Sequence, residues 1–243
     1  MTNMFNVSIA NMRFPIYSTI VIGSIILGIV MACIIMYREG LKRSTIIYTC
    51  LLTFVCILVF GLGLNVTLTG NLRSIGFTGA GGALGLLIGA CASIFIHRDH
   101  EEEMLASWVV SAPLMYGLAK TACHVAGCCY GIPYHGRVEI IYESDHISRF
   151  PVQLTESAVF TLIFLIGLIL LLATSKPILT SKIVIAMSVI GKFSLDYLRA
   201  SHYESETALS ENQILALCMG ILALVLINTL DRIFLKKKGI KNG

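Results

Sequence analysis

Charge is what this chain has least of. Asp, Glu, Lys and Arg make up 13% of its 243 residues, against 56% hydrophobic, and the mean hydropathy is +0.82. A water-soluble core of this length has no use for so much apolar surface, so a soluble globular protein is excluded and an integral membrane protein is implied. A basic face interleaved with aromatics is also missing, which excludes nucleic-acid binding. The sequence has no internal repeat and no low-complexity linker, and its connections are short. An all-α polytopic membrane bundle forming a single domain over residues 1–243 is therefore expected.

Long apolar runs fill the space that charge leaves. The hydrocarbon layer is about 30 Å thick and a helix rises about 1.5 Å per residue, so a span takes roughly 20 apolar residues. Seven segments qualify: Phe14 to Tyr37, Thr45 to Val66, Ile75 to Ile96, Met104 to Val125, Val152 to Ala173, Ile178 to Leu198 and Ile214 to Leu235. The fourth and sixth each carry a lysine. The first lacks a basic start and a small-residue cleavage site, and reads as a retained helix rather than a signal peptide.

The Lys/Arg distribution then sets an orientation. Arg38, Lys42, Arg43, Arg98, Lys176, Lys182, Arg232, Lys236, Lys237, Lys238 and Lys241 fall on one side, while Arg13, Arg73, Arg137, Arg149 and Arg199 fall on the other. The richer side is cytoplasmic by the positive-inside rule, which puts the N-terminus outside and the C-terminus inside. The net charge of +4 has its excess in the tail KKKGIKNG, which suits an anchor at an anionic leaflet. The acidic HRDHEEE (97–103) reads as a solvated cytoplasmic turn. The one sizeable excursion is an outer loop at about 127–151, where RVEIIYE (137–143) has the rhythm of a short strand.

Of the eight cysteines, Cys33, Cys50, Cys56, Cys91 and Cys218 sit inside apolar spans and act as small hydrophobes. Cys123, Cys128 and Cys129 lie near the outer surface. No CxxC pair is present, so the usual spacing of a zinc or redox motif is missing, and no metal or cofactor is expected. His124 and Cys128, four apart on a helix, are the alternative pair of ligands. In the third span Gly81, Gly85 and Gly89 recur every fourth residue, which lets a neighbouring helix approach closely. Gly76 and Gly79 extend this small-residue region to the outer end of that span, where a lipid headgroup has room.

The scarce charges inside spans carry the functional signal, because each costs roughly 2.5–3.5 kcal/mol at the bilayer centre on insertion scales. Tyr116, Lys120, His124 and Cys128 succeed one another at four-residue steps along the fourth span. Ser188, Lys192, Asp196 and Arg199 form a similar row on the sixth. Both lysines lie roughly six residues, or about 9 Å, below the outer boundary. Gln153 and Glu156 enter from that boundary on the fifth span. Taken singly, Lys192 with Asp196 is a four-apart ion pair, Arg199 a snorkelling anchor, and Glu156 a weld to Lys120. Taken together, they mark a polar cavity in the outer half of the membrane, rich in cations and suited to an anionic phosphate headgroup.

HVAGCCYGIPY (124–134), RFPVQLTES (149–157), GKFSLDYLR (191–199) and LSENQILAL (209–217) resemble, in order and spacing, the prolipoprotein diacylglyceryl transferases, specifically their divergent GCCYG-bearing relatives. The glycine-rich FTGAGGALG (77–85) is similar to the family's third-helix motif, and Tyr17 to a family tyrosine, although an aromatic there also suits an interfacial belt. The resemblance implies transfer of a diacylglyceryl group from phosphatidylglycerol to the lipobox cysteine of a secreted precursor, at the bacterial plasma membrane, with release of glycerol phosphate. It implies that Lys120, Lys192 and Arg199, with Arg149, bind the phosphate, and that Gln153 and Glu156 orient headgroup or acceptor. Asp196 and Gly131 are expected to complete the substrate site, with Glu156 and, on helical spacing alone, His124 as the expected catalytic residues.

The chain departs from the family pattern at several of these positions. Ala80 stands where the family has a histidine, Lys120 and Cys123 where it has arginine and asparagine, and Lys192 and Asp196 where it has arginine and glutamate. Lysine keeps the charge and loses the planar two-pronged contact. With the family's base absent, His124 is the replacement base, histidine being the side chain that exchanges a proton near neutral pH. His135, His146 and His202 are alternatives. Other readings are a lipid-binding or lipid-moving protein that keeps the phosphate site without transfer, an anion transporter, and a seven-span receptor.

Overall fold

A computed structural model of the protein describes the chain over residues 3–69, 77–142, 146–203 and 208–241, with side chains over 16–64, 66–67, 77–142, 146–203 and 208–235. Arg73, Gly76 and Glu143 lie outside the described residues, as do the side chains of Arg13, Lys236, Lys237, Lys238 and Lys241. The described elements are α1 (Asn3–Arg38), α2 (Arg43–Thr69), α3 (Gly79–Ile96), α4 (Glu101–Ala126), β1 (Ile140–Ile141), β2 (Ser148–Arg149), α5 (Val152–Thr174), α6 (Pro177–Asp196), a 3-10 turn (Ala200–His202) and α7 (Glu211–Lys241).

Each of the seven expected spans is a helix; six of them are by length and composition alone apolar enough to cross a bilayer, and α4, the fourth, is less apolar than these. The reason is visible in its burial. Met104 through Ser111 form an unbroken buried run in which Trp108, Ser107 and Ser111 have no exposed surface. A helix enclosed by protein can carry Ser, Lys and an internal Pro113 that a lipid-facing helix would avoid. The other helices instead expose large apolar side chains, among them Ile22, Ile26, Ile47, Leu51, Ile169 and Ile221. The protein is a multi-pass membrane protein.

Helix ends follow local rules. The acidic Glu101–Glu103 make up the first turn of α4 rather than a solvated turn, and their charge suits the positive end of the helix dipole. Thr78 caps α3, its hydroxyl accepting from the Gly81 amide at 3.3 Å. Ser210 caps α7 reciprocally: the Gln213 amide donates to Ser210 Oγ at 3.2 Å, while the Ser210 amide donates to Gln213 Oε1 at 3.1 Å.

The chain divides into two compact units, one of Met1–Leu27, Pro113–Ile163 and Met187–Leu217, the other of Gly28–Ala112, Phe164–Ala186 and Cys218–Gly243. The second holds the glycine stripe of α3, packed on the α2 backbone. A Cβ at Gly81 would strike the Phe60 carbonyl, one at Gly85 the Cys56 carbonyl, and one at Gly89 would come within 2.7 Å of the Thr53 Cα. Small residues here bring two backbones together in a setting where dispersion, rather than water exclusion, drives helix association. Lys182 and Asp231 pair at 2.8 Å in the same unit.

The first unit is held together by an extended segment, residues 130–134. The Phe150 amide donates to the Ile132 carbonyl and the Tyr134 amide to the Ser148 carbonyl, both at 3.0 Å. On the other edge, the Ile132 amide donates to Leu198 and the Ala200 amide to Tyr130, also at 3.0 Å. The strand expected over 137–143 shrinks to Ile140–Ile141, because only Ser148–Arg149 lies opposite to pair with it. Arg137, Val138 and Glu139 are exposed.

Candidate functional site

Glu156, on the first turns of α5, has no exposed surface and gathers the scarce cations of the first unit. Arg199 donates from one Nη2 to Oε1 at 2.8 Å and to Oε2 at 2.6 Å. Lys192 of α6 donates to Oε1 at 3.0 Å, Lys120 of α4 stands 3.3 Å from Oε2, and the Tyr116 hydroxyl donates to Oε1 at 3.3 Å. Both lysine ammoniums also sit over the Tyr116 ring, 5.1 Å and 5.5 Å from its centroid. The three cationic side chains are 6–18% exposed. Sequence reading expects a polar cavity here; the structure closes these side chains directly onto one carboxylate.

A second carboxylate lies next in line. Asp196 is fully buried and accepts a short hydrogen bond from Ser210 Oγ; His202 Nδ1 lies 3.4 Å from the same oxygen, and Arg199 Nε lies 3.9 Å from the other. The expected four-apart Lys192–Asp196 pair does not form, since Lys192 turns to Glu156. Nor does Arg199 snorkel: it is 5% exposed and faces inward. Burial alone would lower the proton affinity of its guanidinium, but the adjoining Glu156 carboxylate more than reverses this and raises its pKa. Three cations against two carboxylates leave one positive charge in excess, with lysine donors to spare.

The segment 130–134 fixes where Arg199 sits, through the paired backbones of Gly131 and Arg199. A Cβ on Gly131 would strike the Phe150 carbonyl, so only glycine lets the two strands close around it. Arg149 serves this loop. Its guanidinium lies 5.1 Å from the Tyr130 ring centroid and donates to the Gly131 carbonyl at 3.2 Å. Gln153, also fully buried, donates to the Cys128 carbonyl at 2.7 Å.

His124 does not share the Glu156 cluster. Its ring meets Tyr142 edge-on at 6.4 Å, and its buried Nδ1 has no hydrogen-bond partner among the described residues. Helix geometry explains the departure, because each four-residue step overshoots a full turn by about 40°, and two steps from Tyr116 rotate His124 about 80° off that face. Four-residue spacing is a poor guide beyond one step. Tyr116 and Lys120, a single step apart, do converge.

The three outer cysteines are brought together by the end of α4. Gly127, with φ of +64°, terminates the helix in a Schellman motif: the Cys128 amide donates to the Cys123 carbonyl at 3.0 Å and the Gly127 amide to the His124 carbonyl at 3.2 Å. The first bond folds Cys128 back over Cys123. Cys129, with φ of +56°, turns the chain again, and the three sulfurs lie within 4.8 Å of one another. Four-residue helical spacing, which offers His124 as the alternative partner of Cys128, does not reveal this grouping, because the Gly-terminated cap that selects Cys123 lies beyond helical periodicity.

Ser210, Gln213 and His202 complete the network. The signal for the first two is in LSENQ, where Ser and Gln three apart just before an apolar run announce a capping box. Gln213 further donates to the Phe193 carbonyl at 3.2 Å, tying α7 to α6.

These features define a membrane-embedded helical protein with a buried ion cluster drawn from α4, α5 and the end of α6. Family comparison makes the class specific: the model of the prolipoprotein diacylglyceryl transferase family matches residues 4–229, and the chain belongs to that family. It is 27% identical over 158 residues to a phosphatidylglycerol–prolipoprotein diacylglyceryl transferase 2 of Clostridium perfringens, covering 63% of this chain and 62% of that protein. It is 24% identical over 157 residues to the corresponding transferase of Clostridium tetani, covering 61% of this chain and 63% of that protein. Each match thus spans under two thirds of the relative's own length.

Proposed function

We propose that this protein transfers a diacylglyceryl group from phosphatidylglycerol to a cysteine thiol of a secreted, lipobox-bearing precursor, within the plasma membrane and with its N-terminus outside. The observation that carries the reading is the convergence of Lys120, Lys192 and Arg199 on Glu156 in a member of this family. Glu156 holds the place of an anion. The phosphate of an entering lipid competes for the same donors, and the spare lysine donors accommodate its additional oxygens. Arg149, Gln153 and Gly131 shape the adjoining loop, and Asp196 lies beside both His202 and Arg199, at 3.4 Å and 3.9 Å.

In the reaction, the acceptor thiol loses its proton and its sulfur attacks the terminal glyceryl carbon of the lipid. A carbon–sulfur bond forms, the carbon–oxygen bond to phosphate breaks, and glycerol phosphate leaves with the electron pair. The clustered cations stabilise the charge that builds on the departing phosphate. Asp196 orients His202 through Nδ1, leaving Nε2 to take the thiol proton, much as a carboxylate orients a histidine base elsewhere. This arrangement favours His202 over His124, whose buried nitrogen has no such partner.

The test uses purified protein in bilayer nanodiscs with labelled phosphatidylglycerol and a lipobox peptide. Lipidated cysteine and released glycerol phosphate are expected, and both vanish in Arg199→Gln. Ala80, where the family pattern has histidine, favours a second reading: a phospholipid-handling protein without transfer. Saturable binding with no release by the unaltered chain, and turnover appearing in Ala80→His, would select it. Anion uptake into sealed vesicles, lost in a Lys120→Ala and Lys192→Ala double variant, would instead select transport.

A further inference from the structure

The Glu156 cluster uses none of the three cysteines at the end of α4, yet the fold goes to some length to assemble them. Cys123 belongs to the last helical turn. The Schellman bond from the Cys128 amide to the Cys123 carbonyl fixes the second thiol over the first. The positive φ at Cys129 is uncommon outside glycine, Asn and Asp, and it directs the third thiol to the same point. Gln153 pins the Cys128 carbonyl from α5, so the loop carrying two of the three thiols is held against the bundle as well as by its own turn.

Three sulfurs within 4.8 Å, with no carboxylate or imidazole in the group, are a soft donor set. Sulfurs around a tetrahedral zinc ion, at about 2.3 Å each, lie about 3.8 Å apart, so closing this group on an ion asks for shifts of about an ångström or less. A disulfide would use two of the thiols and strand the third, whereas a single thiophilic cation engages all of them. We infer that Cys123, Cys128 and Cys129 form a trithiolate site for a thiophilic cation of the zinc type, beside the ion cluster and distinct from it. Binding a divalent ion releases three thiol protons and leaves the site with one negative charge. Lys120, one helical turn before Cys123, contributes to the positive excess that compensates it. Three ligands leave one tetrahedral position open, accessible from the exposed Cys129.

The experiment reads binding directly and does not depend on transferase activity. Cys33 and Cys50, whose sulfurs are 2.9 Å apart elsewhere in the protein, are first replaced by serine so that they cannot contribute. The reduced, detergent-solubilised protein is then titrated with Cd²⁺, followed by its thiolate-to-metal ultraviolet absorption, and Zn²⁺ affinity is taken by competition. One equivalent is expected, with affinity falling roughly 100-fold or more in each of Cys123→Ser, Cys128→Ser and Cys129→Ser. Bound Zn²⁺ should shield all three thiols from alkylation, read by peptide mass. The inference is overturned if the absorption survives in the triple serine variant, if the reduced and folded protein takes up no metal, or if only two of the three cysteines matter.

Discussion

A single nitrogen of Arg199 serves both oxygens of Glu156, at 2.8 Å and 2.6 Å, although the two residues are 43 positions apart. The Nε of the same guanidinium lies 3.9 Å from Asp196 Oδ1, an ion-pair distance without a hydrogen bond. Glu156 therefore holds the arginine by hydrogen bonds and Asp196 adds only a longer ion-pair contact, while Lys120 and Lys192 each stand against one Glu156 oxygen.

Removing the central charge should be costly. Glu156→Gln leaves Lys120, Lys192 and Arg199 buried without their common counter-ion, and breaking a buried pair in this way costs about 3–5 kcal/mol. A clear fall in the detergent-solubilised melting temperature is expected, with partial recovery when Lys192→Met is added. A melting curve unchanged from the parent would refute the idea that Glu156 holds the cluster together.

Arg199→Lys preserves charge and loses the contact shared between two oxygens. Hydrogen bonds to charged groups contribute about 1.5–3 kcal/mol, so the transfer rate in nanodiscs should drop by about 10- to 150-fold. Lys192→Arg, supplying the planar group at the neighbouring position, should be far milder. Equal losses in both would show that charge alone matters.

The histidines separate by position. His202→Gln and Asp196→Asn should both lower kcat with little effect on lipid KM, by about 100-fold or more for a lost general base. His124→Gln should leave kcat within a few-fold of the parent. The reverse pattern would return the base to His124.

Gly131→Ala places a methyl group against the Phe150 carbonyl, where backbone must yield, and should cost about 1–3 kcal/mol along with activity. Gly79→Ala, which meets nothing within 4 Å, should be neutral or stabilising by up to about 1 kcal/mol. Urea unfolding of both variants against the parent makes the comparison.

Much of the fold could be read along the chain because each span is a local property: about 20 apolar residues announce themselves without reference to a partner. The exception, α4, shows the limit of that rule. Its serines at 107 and 111 are tolerated because Met104 to Ser111 are enclosed by protein, and its lysine because Glu156 stands 3.3 Å away; both depend on residues distant in sequence. Lys120, Gln153, Glu156, Lys192, Asp196 and Arg199 were likewise identifiable as buried charges or polar groups needing partners. Which partner each takes was not, since Lys192 has Asp196 four residues away and bonds Glu156 instead.

The sequence by itself determined that this is a multi-pass membrane protein, which family it belongs to, and which few ionisable residues had to be accounted for, because hydropathy and motif spacing are written residue by residue. Only the tertiary structure decided that Glu156 is their shared counter-ion, that Asp196 faces Ser210 and His202, and that three cysteines meet. Those choices depend on helix rotation, on where the ends of α4 and α6 turn, and on the backbone pairing at Gly131 and Arg199, none of which is encoded at a fixed spacing along the chain.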